Sequence, residues 1–237
     1  VFQKPRVAAL STGDELLGPG RSLSSGKIYD ANGPAIMSAL SAWSADAVDF
    51  GIVGDEPRKI KAKLKSALSR CDAVLVCGGV SVGDFDYTKS MLESLGVKTI
   101  FWKVKIKPGK PLFFGVYKGK NGTPKPVFGL PGNPVSVLVC LEEFVRPALD
   151  AMQGAAPKIS RYHLRGKAVN GFVLPKERQQ RLFCEATQSG LGFSLRIVPR
   201  QASHMAAACS KANALAAPAQ GVSRVKPGDV LPFRWLN

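Results

Sequence analysis

Apolar positions along this chain follow two different periods. Four short runs rich in β-branched or aromatic residues, RVAALST (6–12), AVDFGIV (47–53), AVLVCGG (73–79) and TIFWKVKI (99–106), predict strands. Between them the period changes to that of a helix. Across 57–70, Ile60, Leu64 and Leu68 recur every four positions while Lys59, Lys61, Lys63 and Lys65 occupy the other faces, and Pro57 suits a first helical turn. Residues 34–43 and 87–95 carry a similar signal. Strands joined by helices of this length imply right-handed βαβ crossovers. The expected fold class is α/β, a mainly parallel sheet with helices on both faces. The texture changes at QGAAPK (153–158), a turn-rich linker. Beyond it, short strand-like runs broken by Gly, Pro and Asn predict a small β domain or barrel. The expected division is an α/β domain over 1–153 and a small β domain over 158–237.

Composition narrows the class. Of 237 residues, 45% are hydrophobic and 21% charged, which suits a folded chain rather than a disordered one. No apolar run approaches the roughly 18 residues of a membrane span, and the start VFQKPRVAALST lacks the layout of a signal peptide. The chain therefore reads as cytoplasmic, without a membrane partner. Five cysteines, Cys71, Cys77, Cys140, Cys184 and Cys209, form no CxxC pair, so buried thiols are expected rather than zinc ligands or a disulfide framework. The formal charge of +16 attracts anions without choosing among them. Nucleic acid is disfavoured, because the lysines are scattered and no helix-turn-helix, zinc finger or aromatic RNA-binding motif accompanies them.

In an open parallel sheet, ligands bind beyond the carboxyl ends of strands, where loops enter helices. Three such exits bear acids: STGDEL with Asp14 and Glu15, VGDEP with Asp55 and Glu56, and GGVSVGDFDYTK with Gly78, Gly79, Ser81, Asp84 and Asp86. Taken singly, an acid at a strand exit ordinarily caps the following helix, and that is the reading for Asp14 and Glu56. Taken as a set beside a phosphate-bearing ligand, carboxylates from several loops are how proteins hold Mg²⁺.

The positive side comes from KIKPGKP (105–111), where a Pro-Gly turn fixes Lys107 and Lys110. A second contribution comes from GLPGNPVS (129–136). Asn133 suits an N-cap and Pro134 a first helical residue, with Leu138, Leu141, Val145 and Leu149 following on one face. Gly132 has no side chain to keep an anion from the backbone. A helix end contributes only about 0.3 to 1 kcal/mol to an exposed anion, so lysines and a metal ion are needed beside it.

Together, in this order, STGDEL, GKIYDAN (26–32), GGVSVGDFDYTK, KIKPGKP and GLPGNPVS resemble the bacterial molybdopterin molybdenumtransferases, relatives of the gephyrin E domain. The resemblance runs over the whole chain, whereas members of that family carry two further N-terminal domains, so the chain is expected to be the C-terminal part of such a protein. It implies a molybdopterin-binding-domain-like α/β fold followed by a small β-barrel. The implied reaction is insertion of molybdate into adenylated molybdopterin, with release of AMP, assisted by Mg²⁺. The implied catalytic acids are Glu15, Asp55 and Asp86, with Glu15 and Asp86 on the metal. Gly78, Gly79, Ser81, Lys107, Lys110, Pro131, Gly132, Asn133, Pro134 and Ser136 occupy the matching substrate loops. Molybdate is expected at Lys110, Arg178 and Ser203, with Arg181 competing for the arginine's role. The segment QASHM (201–205) departs from the family's pattern by placing Ala202 where glycine is common, which would strain a turn needing positive φ. His204 is not assigned a general-base role. The implied partners are adenylated molybdopterin, molybdate, and molybdopterin adenylyltransferase as the pathway neighbour, with a homodimer in the longer protein.

Two other classes remain open. An adenylyltransferase-like enzyme shares the α/β fold but is marked by a GGTG turn, where this chain has GGVSVG and an added β domain. A gephyrin-like scaffold or binding module would use the same fold to hold a peptide.

Overall fold

The computed structural model describes residues 2–78, 85–119, 122–156, 161–175 and 177–236, with only the backbone of 85–87. From the N-terminus the elements are β1 (Arg6–Thr12), β2 (Leu16–Leu17), β3 (Ile28–Tyr29), α1 (Asn32–Ala42), β4 (Asp46–Val53), α2 (Pro57–Arg70), β5 (Ala73–Cys77), α3 (Phe85–Ser94) and β6 (Val97–Trp102). There follow β7 (Ile106–Lys107), β8 (Phe113–Lys118), β9 (Pro124–Leu130), α4 (Pro134–Cys140), a π-helical segment at Leu141–Val145, and α5 (Arg146–Met152). The chain divides into two compact units. The first comprises Val1–Val104, Pro111–Gly132 and Cys140–Ala156, and the second Lys105–Lys110, Asn133–Val139 and Pro157–Asn237.

The first unit is built on a six-stranded sheet in the order β4-β1-β5-β9-β8-β6. Pairs β4–β1, β1–β5 and β5–β9 are parallel, while β9–β8 and β8–β6 are antiparallel. The parallel centre explains why β5 reads AVLVC with every residue buried, since a strand covered on both faces needs no polar alternation. One face packs Ala8, Leu10, Val74, Val76 and Val127 against Ile60, Leu64 and Leu68 of α2 and Leu92 of α3. The four-residue spacing of α2 is the stripe that this burial requires. On α1, Asn32, Ile36 and Leu40 repeat the same spacing, all buried.

The expected strand over 99–106 stops at Trp102. Lys103 takes φ 65, a left-handed conformation that ends an extended run, and its N–H turns back to the Leu112 carbonyl at 2.8 Å. Ile106–Lys107 then becomes a separate short strand in the second unit.

In the second unit, β10 (Leu164–Ala168), β11 (Phe172–Val173), β12 (Gln179–Gln180), β13 (Leu182–Ser189), β14 (Gly192–Ile197), β15 (Ala214–Ala216), β16 (Arg224–Val225) and β17 (Val230–Trp235) follow in order. Five of them close a barrel, β10-β14-β13-β15-β17. Its interior is filled by Leu182, Cys184, Leu195, Ile197, Ala214, Leu231 and Phe233. Gly166 lets two walls approach, because a Cβ there would lie 2.6 Å from Leu195 Cγ. All five cysteines are free and buried. Among the described residues no helix is long and apolar enough to cross a membrane.

Candidate functional site

At the carboxyl ends of β1 and β4 the two acid loops interlock. The Asp14 N–H donates to Asp55 Oδ2 at 3.3 Å, and the Asp55 N–H donates to Asp14 Oδ1 at 2.9 Å. The Gly13 N–H reaches the Val53 carbonyl at 3.1 Å, so the backbone bridges the loops as well. Two glycines make room for this. A Cβ on Gly54 would sit 2.5 Å from Asp14 Oδ1, and one on Gly13 would sit 2.6 Å from Glu15 Oε2. Glu15 thus folds its carboxylate back over Gly13, on the same loop as Asp14. Lys27 Nζ bonds the Asp14 carbonyl, and parallel pairing of Leu16–Leu17 with Ile28–Tyr29 draws GKIYDAN alongside STGDEL.

This corrects the expectation that Asp14 and Glu56 cap helices. The Asp14 carboxylate is spent on the β4–α2 loop, where it accepts the Asp55 N–H. Glu56 does occupy the N-cap position of α2, and its carbonyl accepts the Ile60 N–H at 3.0 Å, but its side chain makes no capping bond. Lys59, three positions along, takes that carboxylate at 2.7 Å instead. The hydrogen bond and charge of Glu56 raise the Lys59 pKa above its ordinary value.

A buried polar cluster joins the start of α1 to the ends of β5 and β9. Asp30 Oδ1 accepts the N–H groups of Asn32 and Gly33, both at 2.9 Å, and so satisfies the start of α1. Asn32 Nδ2 donates to the Gly132 carbonyl at 2.7 Å, and Cys77 Sγ donates to the Pro131 carbonyl at 3.2 Å. These two bonds hold the Pro-Gly backbone that follows β9. Burial pushes the Cys77 thiol far above its ordinary pKa, so it serves here as a neutral donor. Gly78, at φ 100, lies directly on Thr12: a Cβ there would be 2.0 Å from the Thr12 carbonyl oxygen. Among the described residues, Thr12 Oγ1 and Asn32 Oδ1 are buried without a hydrogen-bond partner. Buried polar atoms are nearly always paired, so an open one at the end of β1 and another at the start of α1 mark a place that a polar ligand atom can complete. Asp30 and Asn32 lie in the GKIYDAN stretch but are not among the expected site residues. The available signal was an acid shortly before Pro34, the arrangement of a capped helix with proline in its first turn.

The second unit gathers the cationic candidates. β7 pairs with β12 in parallel: the Gln179 N–H donates to the Lys105 carbonyl at 3.0 Å and the Arg181 N–H to the Lys107 carbonyl at 2.9 Å. The Lys105–Lys110 turn is thereby fastened to the Arg178 segment. At the start of α4 the Val137 N–H reaches the Asn133 carbonyl at 3.0 Å, which puts Asn133 at the N-cap position ahead of Pro134. The Val135 N–H instead donates to the Ser203 carbonyl at 2.9 Å, tying the helix start to QASHM. Ser136 is buried beside it. Ala202 accepts the Met205 N–H in an ordinary turn. Its φ is not positive, so alanine fits there without strain. Arg181 is buried, 5.2 Å from the Tyr162 ring, and donates to the Gln180 carbonyl and Gln179 Oε1. Arg178 is half-buried.

Residues 8–151 match the family described as probable molybdopterin binding domain. The chain belongs to the molybdopterin-binding domain family. It is 34% identical, over its whole length, to a molybdopterin molybdenumtransferase of Haemophilus influenzae, of which it spans 57%. Over 66% of its length it is 40% identical to the protein of that name from a Nostoc species, of which the matched part is 35%. Among solved structures, a molybdopterin biosynthesis MoeA protein from Pyrococcus horikoshii superposes on all of this chain with a TM-score of 0.80 and 30% identity, the match covering 55% of that protein. The chain thus spans a little over half the length of the first of these curated relatives and of that structure.

The first unit brings Glu15, Asp55, Gly78, Pro131 and Gly132, all within the matched residues 8–151, to neighbouring loops. The second holds Lys107, Lys110, Asn133, Pro134, Ser136, Arg178 and Ser203. Gly79 and Ser81 lie outside the described residues, as does the Asp86 side chain. Among the described residues no group of three or more His, Cys, Asp or Glu is arranged to hold a metal ion.

Proposed function

We propose that this chain carries the substrate-handling part of a molybdopterin molybdenumtransferase. In this reading it binds adenylated molybdopterin and molybdate, transfers molybdenum to the dithiolene and releases AMP. The observation that carries it is the interlocked pair of acid loops at the carboxyl ends of β1 and β4, in a chain with the whole-length identity given above. Such loops are where open α/β sheets bind ligands.

The parts have separate tasks. Lys107 and Lys110, on a turn anchored by β12, neutralise phosphate or oxyanion charge, and Arg178 and Ser203 extend that surface toward molybdate. Gly132 leaves its backbone approachable, since a Cβ there would meet nothing within 4 Å. Thr12 and Asn32 offer buried polar atoms to the ligand. The acid set is oxygen-only, with Asp14 and Asp55 each spending one carboxylate oxygen on the opposite loop, which suits a hard cation such as Mg²⁺. Glu15 and Asp86 would hold that ion. Its chemistry is to offset charge as the phosphoanhydride breaks. An adenylyltransferase-type reaction must supply the adenylated substrate.

The test is a calorimetric titration of the chain with AMP, with and without Mg²⁺ and molybdate. Binding that Mg²⁺ strengthens, and that Glu15→Gln or Asp86→Ala weakens without loss of fold, is the expected result. Indifference to both substitutions would refute the assignment. Consumption of ATP with molybdopterin would point instead to an adenylyltransferase, and peptide capture without nucleotide binding to a scaffold.

A further inference from the structure

Helix α2 violates two local rules at once. Over Pro57–Arg70 it carries Arg58, Lys59, Lys61, Lys63, Lys65 and Arg70, and no carboxylate. Lys59 and Lys63, and likewise Lys61 and Lys65, are like charges one turn apart, which weakens a helix. Arg58 and Lys59 also crowd the end where the helix dipole is already positive. Glu56 pairs with Lys59 alone. The fold does not require these cations, because the core-facing stripe is Ile60, Leu64, Ala67 and Leu68. Departures from local consistency of this kind mark function more often than folding.

Beside these lysines lies an open groove of about 490 Å³ between α2 and β4, the strand at one edge of the sheet. Its floor is Ile52, Val53 and Gly54, and its helical wall is Lys59, Ala62, Lys63 and Ser66. Lys63 Nζ donates to the Phe50 carbonyl at 3.1 Å, which holds that ammonium at the groove and leaves it further donors. The volume is that of a small-molecule site. Charge alone would attract any anion, whereas an apolar floor rewards only one with an apolar body.

We propose that this groove binds a small amphipathic anion, a flat apolar or aromatic body bearing a single sulfonate, carboxylate or phosphate group. The head sits on Lys59 and Lys63, and the body lies on Ile52, Val53 and Ala62. The groove adjoins the interlocked acid loops, since the Val53 carbonyl accepts the Gly13 N–H and Gly54 lies against Asp14 Oδ1, but neither lysine that takes the anion is among the residues assigned to the transferase reading.

The experiment is a fluorescence titration of the chain with 1-anilinonaphthalene-8-sulfonate. Saturable binding at one site per chain is expected, weakened about tenfold or more when Lys59→Met and Lys63→Met are combined. Ala62→Trp, at an exposed helix position, fills the groove and abolishes binding. Lys61→Met with Lys65→Met removes the same charge away from the groove and changes affinity by no more than about twofold. A thermal melt of each variant verifies its fold. Equal weakening by the two lysine pairs, retention of binding by a folded Ala62→Trp chain, or displacement of the probe by inorganic phosphate as readily as by an alkyl phosphate would each overturn the proposal. The lysine pairs decide the matter even if the tryptophan variant fails to fold.

Discussion

Asp14 and Asp55 exchange backbone-to-carboxylate hydrogen bonds, at 3.3 Å and 2.9 Å, across 41 residues of sequence. Each loop is therefore held by the other's side chain. Asp14→Ala deprives the Asp55 N–H of its acceptor. Because both residues are exposed, water replaces part of the bond, and the expected cost is about 1 kcal/mol in a urea denaturation. Asp55→Asn keeps an oxygen for the Asp14 N–H and is expected to leave the urea midpoint near wild type. AMP binding in Mg²⁺ should nonetheless fall in both variants, and calorimetry on the folded variants checks this.

Asp30 accepts two N–H bonds at the start of α1 from a position only 7% exposed. Asp30→Ala leaves both donors without a partner, and the loss expected is about 1 to 2 kcal/mol, the usual scale for a helix cap. Asp30→Asn keeps one side-chain oxygen and should recover most of it. The midpoint of chemical unfolding distinguishes the three chains.

These two sites also show what the sequence could and could not disclose. Periodicity is local, so β1 and α2, with Ile60, Leu64 and Leu68 four apart, were readable to within a residue or two. The end of β6 was not, because the run continues through Ile106 while a single left-handed residue, Lys103, turns the backbone. The β8–β9 hairpin was obscured by the polar stretch 119–123 between its strands and by Pro124 and Pro126 within β9. The acid loops could be recognised as loops. Their interlocking could not, since a bond between residues 41 apart leaves no local pattern, and the same holds for Asn32 reaching Gly132 across 100 positions. Short strands hid the link between KIKPGKP and the Arg178 segment, as β7 and β12 have two residues each.

The buried thiols set a limit on stability in base. Burial raises the Cys184 thiol from 9.0 to about 12 and the Cys209 thiol from 9.0 to about 11. In the unfolded chain these thiols ionise near their ordinary value, while in the folded chain they remain protonated. Between the two values the folded state binds more protons, so stability falls as pH rises from 9.0 toward about 12. Below pH 9.0 the contribution is constant. Denaturation midpoints measured at rising pH should decline over this window. Cys184→Ala, although less stable at neutral pH, should decline less steeply.

Two glycines near the proposed site make opposite predictions for the same substitution. Gly78 has φ 100, and a Cβ on it would lie 2.0 Å from the Thr12 carbonyl oxygen, a backbone atom of a central strand. Gly78→Ala must therefore move β1 or β5, both fully covered, and the expected loss exceeds about 3 kcal/mol, in the range of severe core and backbone defects. Gly132 has no positive φ, and its Cβ would meet nothing within 4 Å. Gly132→Ala should melt with the wild type. Its methyl group nevertheless occupies the open approach to a backbone fixed by Asn32 and Cys77, so binding of AMP or molybdate should weaken while stability does not. Thermal melts and calorimetric titrations of the two variants separate a glycine required by packing from one required by a ligand. Unchanged affinity in the Gly132 variant would remove that backbone from the proposed site.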